Sequence, residues 1–156
     1  MPQTSELVDI NATIAYMADE LRPRLAQHPL MIGIHTGGAW IAQRLHALLG
    51  LTDPLGTLDI SFYRDDFSRL GMNPQVKTSN LPVNVENRHI ILVDDVLHTG
   101  RTIRAALNEI FDYGRPASVT LAVLIQRDGR ELPIEAQVVG HRLKLRKNQH
   151  IKLLGP

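Results

Sequence analysis

The sequence contains no cysteine. That excludes a disulfide framework and a thiolate zinc site, and it fits a protein of a reducing compartment. There is no surplus of charge of either sign. Lys and Arg total 17 and Asp and Glu total 16, a formal net charge of +1. Bulk charge therefore points to no polyanionic partner, and any such surface must be local. No apolar run approaches the length of a membrane span, and the opening "MPQTSELVD" lacks the apolar stretch of a signal peptide. The histidines show no metal-ligand spacing, and there is no repeat or low-complexity segment. What remains is 156 residues, enough for one domain with a real core. The expectation is a single domain spanning residues 1–156, cytoplasmic and without membrane attachment.

Apolar periodicity organises the chain. Ile10, Ile14, Met17, Leu21 and Leu25 have helical spacing, with Asp9 or Asn11 as cap and Pro29 beyond the end. "LMIGI", residues 30–34, is a short continuous apolar run, as a buried parallel strand would be. "HTGG" follows it, and "AWIAQRLHALLG" reads as a helix closed by Gly50. "TLDISFYR" alternates as a strand, whereas residues 64–82 are polar and aperiodic. "HIILV", residues 89–93, predicts another strand, residues 102–113 a helix, and residues 118–125 a further strand. Short strands are expected near 136–139 and 151–154. Strands alternating with helices predict an α/β fold with a mainly parallel sheet flanked by helices. Ligands of such sheets bind beyond the carboxyl ends of the strands. Residues 35–38, 94–95 and the segment after Ile125 then face one crevice.

The stretch "IILVDDVLHTGRT", Ile90 to Thr102, holds the chemistry. Two adjacent carboxylates at the mouth of a sheet repel each other unless something neutralises them. A divalent cation or the hydroxyls of a sugar would do so, because a vicinal diol offers two donors to two acceptors. Thr99, Gly100, Arg101 and Thr102 then lead into a helix. Outward-pointing N–H groups at a helix N-terminus bind phosphate, and Gly100 lets the backbone approach closely. Acids for a ribose diol beside a phosphate cradle describe a receptor for a ribose 5-phosphate. Taken alone, the acid pair could equally be a solvated strand end, a helix cap, or the magnesium-binding pair of a receiver domain. The Thr-Gly-Arg-Thr spacing favours the ribose phosphate.

The same residues resemble the signature of the type I phosphoribosyltransferases, which bind phosphoribosyl pyrophosphate (PRPP). "DISFYRDDFS", "DDVLHTGRT", "YGRPASVTLAVLI" and "RELPI" follow one another as in the PyrR family of pyrimidine operon regulators, which are also uracil phosphoribosyltransferases. The resemblance implies the type I phosphoribosyltransferase fold, with a flexible lid at about 64–82 and a small hood at about 126–156. It implies a PRPP-binding stretch of Ile90, Ile91, Leu92 and Val93, then Asp94, Asp95, Val96, Leu97 and His98, then Thr99, Gly100, Arg101 and Thr102. Asp94 and Asp95 would take the ribose hydroxyls, in part through Mg²⁺. Thr36, Gly37 and Gly38 would hold the diphosphate. Arg64 would enter the catalytic site with the lid, and Arg127 would read uracil from the hood. The implied reaction is uracil plus PRPP giving UMP and diphosphate, with UMP or UTP as regulatory ligands. The family's habit implies a homodimer or larger homo-oligomer.

The chain also departs from the family. His35 stands where a lysine or arginine is common before the diphosphate loop. Gln126 replaces an aspartate, and Glu135 and Asp19 put acids where RNA-facing cations are expected. The regulator's partner, the leader mRNA of pyrimidine genes, would then rely on another surface. Arg142, Lys144 and Arg146 supply one, sharing a face if that stretch is a strand. The alternatives are a weakly catalytic nucleotide sensor, or an enzyme without RNA binding.

Overall fold

The computed structural model describes residues 9–60 and 79–144. The first helix, α1 (Ile10–Leu21), is capped by the Asp9 carboxylate, which accepts from the Ala12 N–H at 3.0 Å. A 3₁₀ stretch, Arg22–Gln27, continues it where Pro23 interrupts α-helical hydrogen bonding. The expected single helix to Leu25 thus ends its α-helical part at Leu21. Strand β1 (Leu30–Ile34) is buried along its whole length, as the apolar run predicts. Helix α2 (Gly37–Leu49) begins two residues earlier than expected, so Gly37 and Gly38 belong to its first turn. Gly50 ends it at φ 64°.

Strand β2 is only Gly56–Leu58, and its predicted continuation to Arg64 falls largely outside the described residues. Strand β3 (His89–Leu97) runs four residues past Val93, so Asp94 and Asp95 lie within the strand and not beyond it. Helix α3 (Arg101–Tyr113) follows, then β4 (Ser118–Arg127) and β5 (Val138–Leu143). The last strand is shifted from the expected 136–139. Of the residues expected to form a hood, 138–143 instead form the edge of the main sheet. The predicted strand at 151–154 lies outside the described residues.

All five strands pair in parallel, in the order β2-β1-β3-β4-β5. Two apolar layers sandwich the sheet. On one face Ile90, Leu92, Leu121 and Val123 pack with Ile103, Ala106 and Ile110 of α3. On the other, Met31, Ile91, Val93 and Ala122 pack with Ile14, Met17, Ile41 and Leu45 of α1 and α2. This three-layer α/β/α arrangement is the one expected of parallel strands buried on both faces. No helix among the described residues is long and apolar enough to cross a membrane.

Candidate functional site

The strand order reverses between β1 and β3. From β1 the chain moves outward to β2, and it then crosses back to lay β3 against the other side of β1. The loops leaving the carboxyl ends of these neighbours diverge, which opens a crevice there. His35 to Gly38 leave β1, Asp94 to Leu97 finish β3, and His98 and Thr99 follow it. Topology thus brings together the two segments in which sequence chemistry is densest.

Their contact is intimate. A Cβ built on Gly38 would lie 2.6 Å from the Val93 carbonyl oxygen and 2.8 Å from the Asp94 Cα. A Cβ on Gly37 would overlap the Asp95 carboxylate. Only glycine at these two positions lets the first turn of α2 settle on the acid pair. The N-terminal N–H groups of α2 then point toward the same crevice, where the helix dipole favours negative charge. Thr36 is the N-cap residue, and its hydroxyl makes no capping bond. The His35–Thr36 peptide is cis, and the His35 N–H donates to the Leu58 carbonyl at 2.9 Å.

The two acids are not equivalent. Asp94 is 5% exposed, whereas Asp95 is partly open. The Asp94 Oδ1 accepts the Asp95 N–H at 2.8 Å, and the Asp95 Oδ1 accepts the Val96 N–H at 2.8 Å. Burial pushes the Asp94 carboxyl well above the usual carboxylate range, and repulsion from Asp95 raises it further. A cation, or donors from a ligand, would reverse that. Among the described residues no three His, Cys, Asp or Glu side chains form a metal cluster. Two adjacent carboxylates instead suit a Mg²⁺ that takes its other ligands from water and phosphate oxygens.

After Leu97 the chain turns through His98, Thr99 and Gly100 into α3. Gly100 adopts φ 96° and, as the N-cap residue, offers no side chain, so the turn into α3 turns backbone N–H groups toward any anion bound there. The Thr99 hydroxyl accepts the Arg101 N–H at 3.1 Å. The following turn is tied to residues 131–134. The Glu131 and Leu132 N–H groups donate to the Thr99 carbonyl at 2.9 and 3.0 Å, and Glu131 pairs with Arg101 at 2.9 Å on the surface. Ile134 packs over Gly100. A separate hollow of about 320 Å³, lined by Leu92, Ile103, Leu107, Leu121 and Ile134, lies on the α3 face. Glu135 and Gln137 also line it, and neither Asp94 nor Asp95 does.

Of the residues that sequence predicts for the site, Thr36, Gly37, Gly38, Asp94 and Asp95 meet at the switch point. His98 to Thr102 continue from them into α3. Ile90 and Leu92 are buried on the α3 face of the sheet and Ile91 and Val93 on the opposite face, so these four support the site without lining it. Arg127 ends β4, and its Nε is buried without a partner among the described residues. Arg142 is exposed on β5, and Lys144 follows the end of that strand. Arg64 and Arg146 lie outside the described residues, so the expected shared face of Arg142, Lys144 and Arg146 extends no further than Arg142 within β5. Trp40 is half-buried against the α1–α2 layer, in keeping with a packing role.

Two features escaped periodicity. One is the clamp of residues 131–134 on the phosphate-loop turn, which rests on backbone groups that leave no composition signal. The other is a stem below the crevice. The Thr57 and Asn80 backbones exchange two hydrogen bonds at 2.8 Å, and the Ser79 hydroxyl donates to the Glu109 carboxylate while accepting from the Asp59 N–H. Burial raises the Glu109 pKa, the Ser79 bond opposes that, and Asp59 and Asp112 add to the rise.

Residues 3–151 match the family model of the phosphoribosyl transferase domain. The chain is 60% identical to the bifunctional protein PyrR of Nitrosococcus oceani over 162 aligned residues, covering 100% of this chain and 91% of that protein. It is 56% identical to the bifunctional protein PyrR of Pseudomonas aeruginosa, covering 90% of this chain and 85% of that protein. Among solved structures, a purine phosphoribosyltransferase from Pyrococcus horikoshii superposes with a TM-score of 0.68 at 22% identity, covering 96% of both chains. A Trypanosoma cruzi hypoxanthine phosphoribosyltransferase superposes at 0.66 and 20% identity, covering 87% of this chain and 74% of that one. At such identities these structures attest the fold alone.

Proposed function

The chain belongs to the phosphoribosyltransferase family, among the PyrR proteins, and we propose that it joins uracil to PRPP, giving UMP and diphosphate. The observation that supports this most is the first turn of α2 seated on the Asp94–Asp95 pair at the switch point, with the chain running on from that pair into the glycine turn that opens α3. PRPP carries two anionic groups, a diphosphate at C1 and a phosphate at C5, separated by a ribose with two free hydroxyls. The first turn of α2 suits the diphosphate, the turn before α3 suits the 5-phosphate, and Asp94 and Asp95 suit the hydroxyls between them.

The chain's own residues then act by position and charge. N–H groups at Thr36 to Gly38 hold the diphosphate as it departs. Those at Thr99 to Thr102 fix the ribose so that the base meets C1 in line. The acid pair faces the ribose, where positive charge develops, and favours it. Asp94 or Asp95 would hold Mg²⁺ directly or through water, and the cation would supply charge stabilisation of the leaving diphosphate. Arg64 belongs to the lid expected at about 64–82, most of which lies outside the described residues, and in this reading it enters the site on closure, which keeps water from C1. Arg127 reads the uracil ring. His35 brings less fixed positive charge to the diphosphate than a lysine would. Formation of UMP from uracil, PRPP and Mg²⁺, followed by chromatography, is the test. A protein that binds PRPP with Mg²⁺ but makes no UMP is the nucleotide sensor instead.

The PyrR relationship also supports a second role, control of pyrimidine genes through their leader mRNA, with UMP or UTP as signal and a homo-oligomer as the working form. Asp19 and Glu135 are exposed acids and repel RNA phosphates. Arg142, Lys144 and Arg146 provide the contact in their stead, in a cytoplasmic protein.

A further inference from the structure

The run "RELPI", residues 130–134, has no part in the proposed reaction. We propose that it sets the 5-phosphate turn, with Ile134 as the positioning residue, an inference that rests on the PRPP- and UMP-binding reading above.

The Thr99 carbonyl is the point of attachment. It accepts the Glu131 N–H at 2.9 Å and the Leu132 N–H at 3.0 Å. The Thr99–Gly100 peptide is trans, so its carbonyl and its N–H point in opposite directions. Fixing the Thr99 carbonyl on residues 131–132 therefore turns the Gly100 N–H away from them. Gly100 is buried, and its N–H has no hydrogen-bond partner among the described residues. A buried N–H is rarely left unpaired, and a phosphate oxygen would satisfy it.

A glycine at φ 96° is the least constrained residue on which to place a donor. Ile134 supplies the constraint. A Cβ on Gly100 would lie 3.1 Å from both Cβ and Cγ1 of Ile134, and 3.4 Å from the Leu132 Cβ, so these side chains close against the turn. The Ile134 N–H donates to the Leu132 carbonyl at 2.7 Å around Pro133, whose ring fixes φ. Farther on, the Gln137 N–H donates to the Leu121 carbonyl at 2.9 Å, and the Leu121 N–H donates to the Gln137 Oε1 at 2.8 Å. The segment is thus stiff and anchored on β4, and it passes the position of the sheet to the turn. The Arg101–Glu131 ion pair adds little, because its side chains are 67% and 54% exposed. Ile134 also lines the hollow on the α3 face, so shortening it enlarges a space instead of admitting a new neighbour.

A turn held in place before the ligand arrives binds phosphate without the entropy loss of ordering a glycine. The effect belongs to the 5-phosphate alone. UMP carries that phosphate and uridine does not, so comparing the two ligands isolates it.

The test titrates UMP and uridine by calorimetry into the full chain as wild type, Ile134→Ala and Ile134→Val. Alanine removes the Cγ1 contact, whereas valine keeps both contacting atoms. Expected for Ile134→Ala is about tenfold weaker UMP binding, with uridine within about twofold of the wild type. Ile134→Val should hold both ligands within about twofold. In steady-state kinetics, KM for PRPP should rise in Ile134→Ala with kcat changed less. Unchanged UMP affinity in Ile134→Ala overturns the proposal. So does an equal loss of UMP and uridine, which marks a merely structural residue. If Ile134→Ala does not fold, amide NMR of the wild type decides. A phosphate on the Gly100 N–H polarises the Thr99 carbonyl to which Glu131 and Leu132 donate. UMP should therefore shift the Gly100, Glu131 and Leu132 amide resonances together, and uridine should shift them far less. A shifted Gly100 beside unmoved Glu131 and Leu132 overturns the proposal. Wild-type protein that binds neither UMP nor PRPP removes the parent reading instead.

Discussion

Asp94 is a carboxylate held where its charge is unwelcome. Its carboxyl sits well above the usual range because of burial first and Asp95 second. The folded chain therefore binds this proton more readily than the unfolded chain. Stability is highest below the ordinary carboxylate range, falls as pH rises toward the raised folded-state value, and stays lower above it. Asp94→Asn keeps an acceptor for the Asp95 N–H and removes the charge. Without Mg²⁺ at pH 7.5, its Tm by scanning calorimetry should exceed that of the wild type by a few degrees, and the gap should narrow toward pH 4. A lower Tm for Asp94→Asn at pH 7.5 would mean that the buried charge is already compensated within the protein. Arg64 differs in kind, because in the proposed function it acts only on closure. Arg64→Ala should lower kcat by at least tenfold while PRPP affinity changes little, and steady-state kinetics beside calorimetric titration separates the two.

The first turn of α2 shows how much an element's position depends on one missing atom. Gly38→Ala must move the helix start away from Val93 and Asp94, because the added methyl has 2.6 Å to a carbonyl oxygen. The expected cost is about 1–3 kcal/mol in urea unfolding, with PRPP affinity down at least tenfold. Full affinity in this variant would separate the helix N-terminus from the diphosphate. The motif "HTGG" made a strand-to-helix turn legible, but the sequence could not say that both glycines lie inside the helix against the acids. Strand β3 was misjudged for a related reason. Two aspartates look like the end of a buried strand, yet each carboxylate accepts the next backbone N–H, and pairing with β4 continues to Leu97. Backbone pairing overrode the side-chain pattern there. The stem of Thr57, Ser79, Asn80 and Glu109 was invisible, because it joins single polar residues far apart in the chain.

Across the molecule, continuous apolar runs at β1, β3 and β4 announced a parallel sheet buried on both faces, and the two-layered core bears that out. Strand order is another matter. Periodicity does not encode which strand neighbours which, and the switch point between β1 and β3 emerged only with the pairing itself. The acid pair and the Thr-Gly-Arg-Thr turn were legible because their chemistry is packed into nine consecutive residues. The proposed RNA contact was less so, being a matter of scattered charge. Neutralising Arg142, Lys144 and Arg146 together should lower affinity for a pyrimidine-operon leader transcript. The slope of log affinity against log salt should flatten by about 2–3. A filter-binding series across salt concentrations reads both, and unchanged values would leave those side chains as a solvated face.

The convergence of acids and helix ends on one sugar phosphate is open to a single direct measurement, calorimetric titration of PRPP with Mg²⁺ into the wild type and into Asp94→Asn/Asp95→Asn. The wild type should bind, and the double variant, with an unchanged far-ultraviolet circular dichroism spectrum, should show no binding heat. Equal affinity in a folded double variant would contradict the ribose assignment of the acid pair.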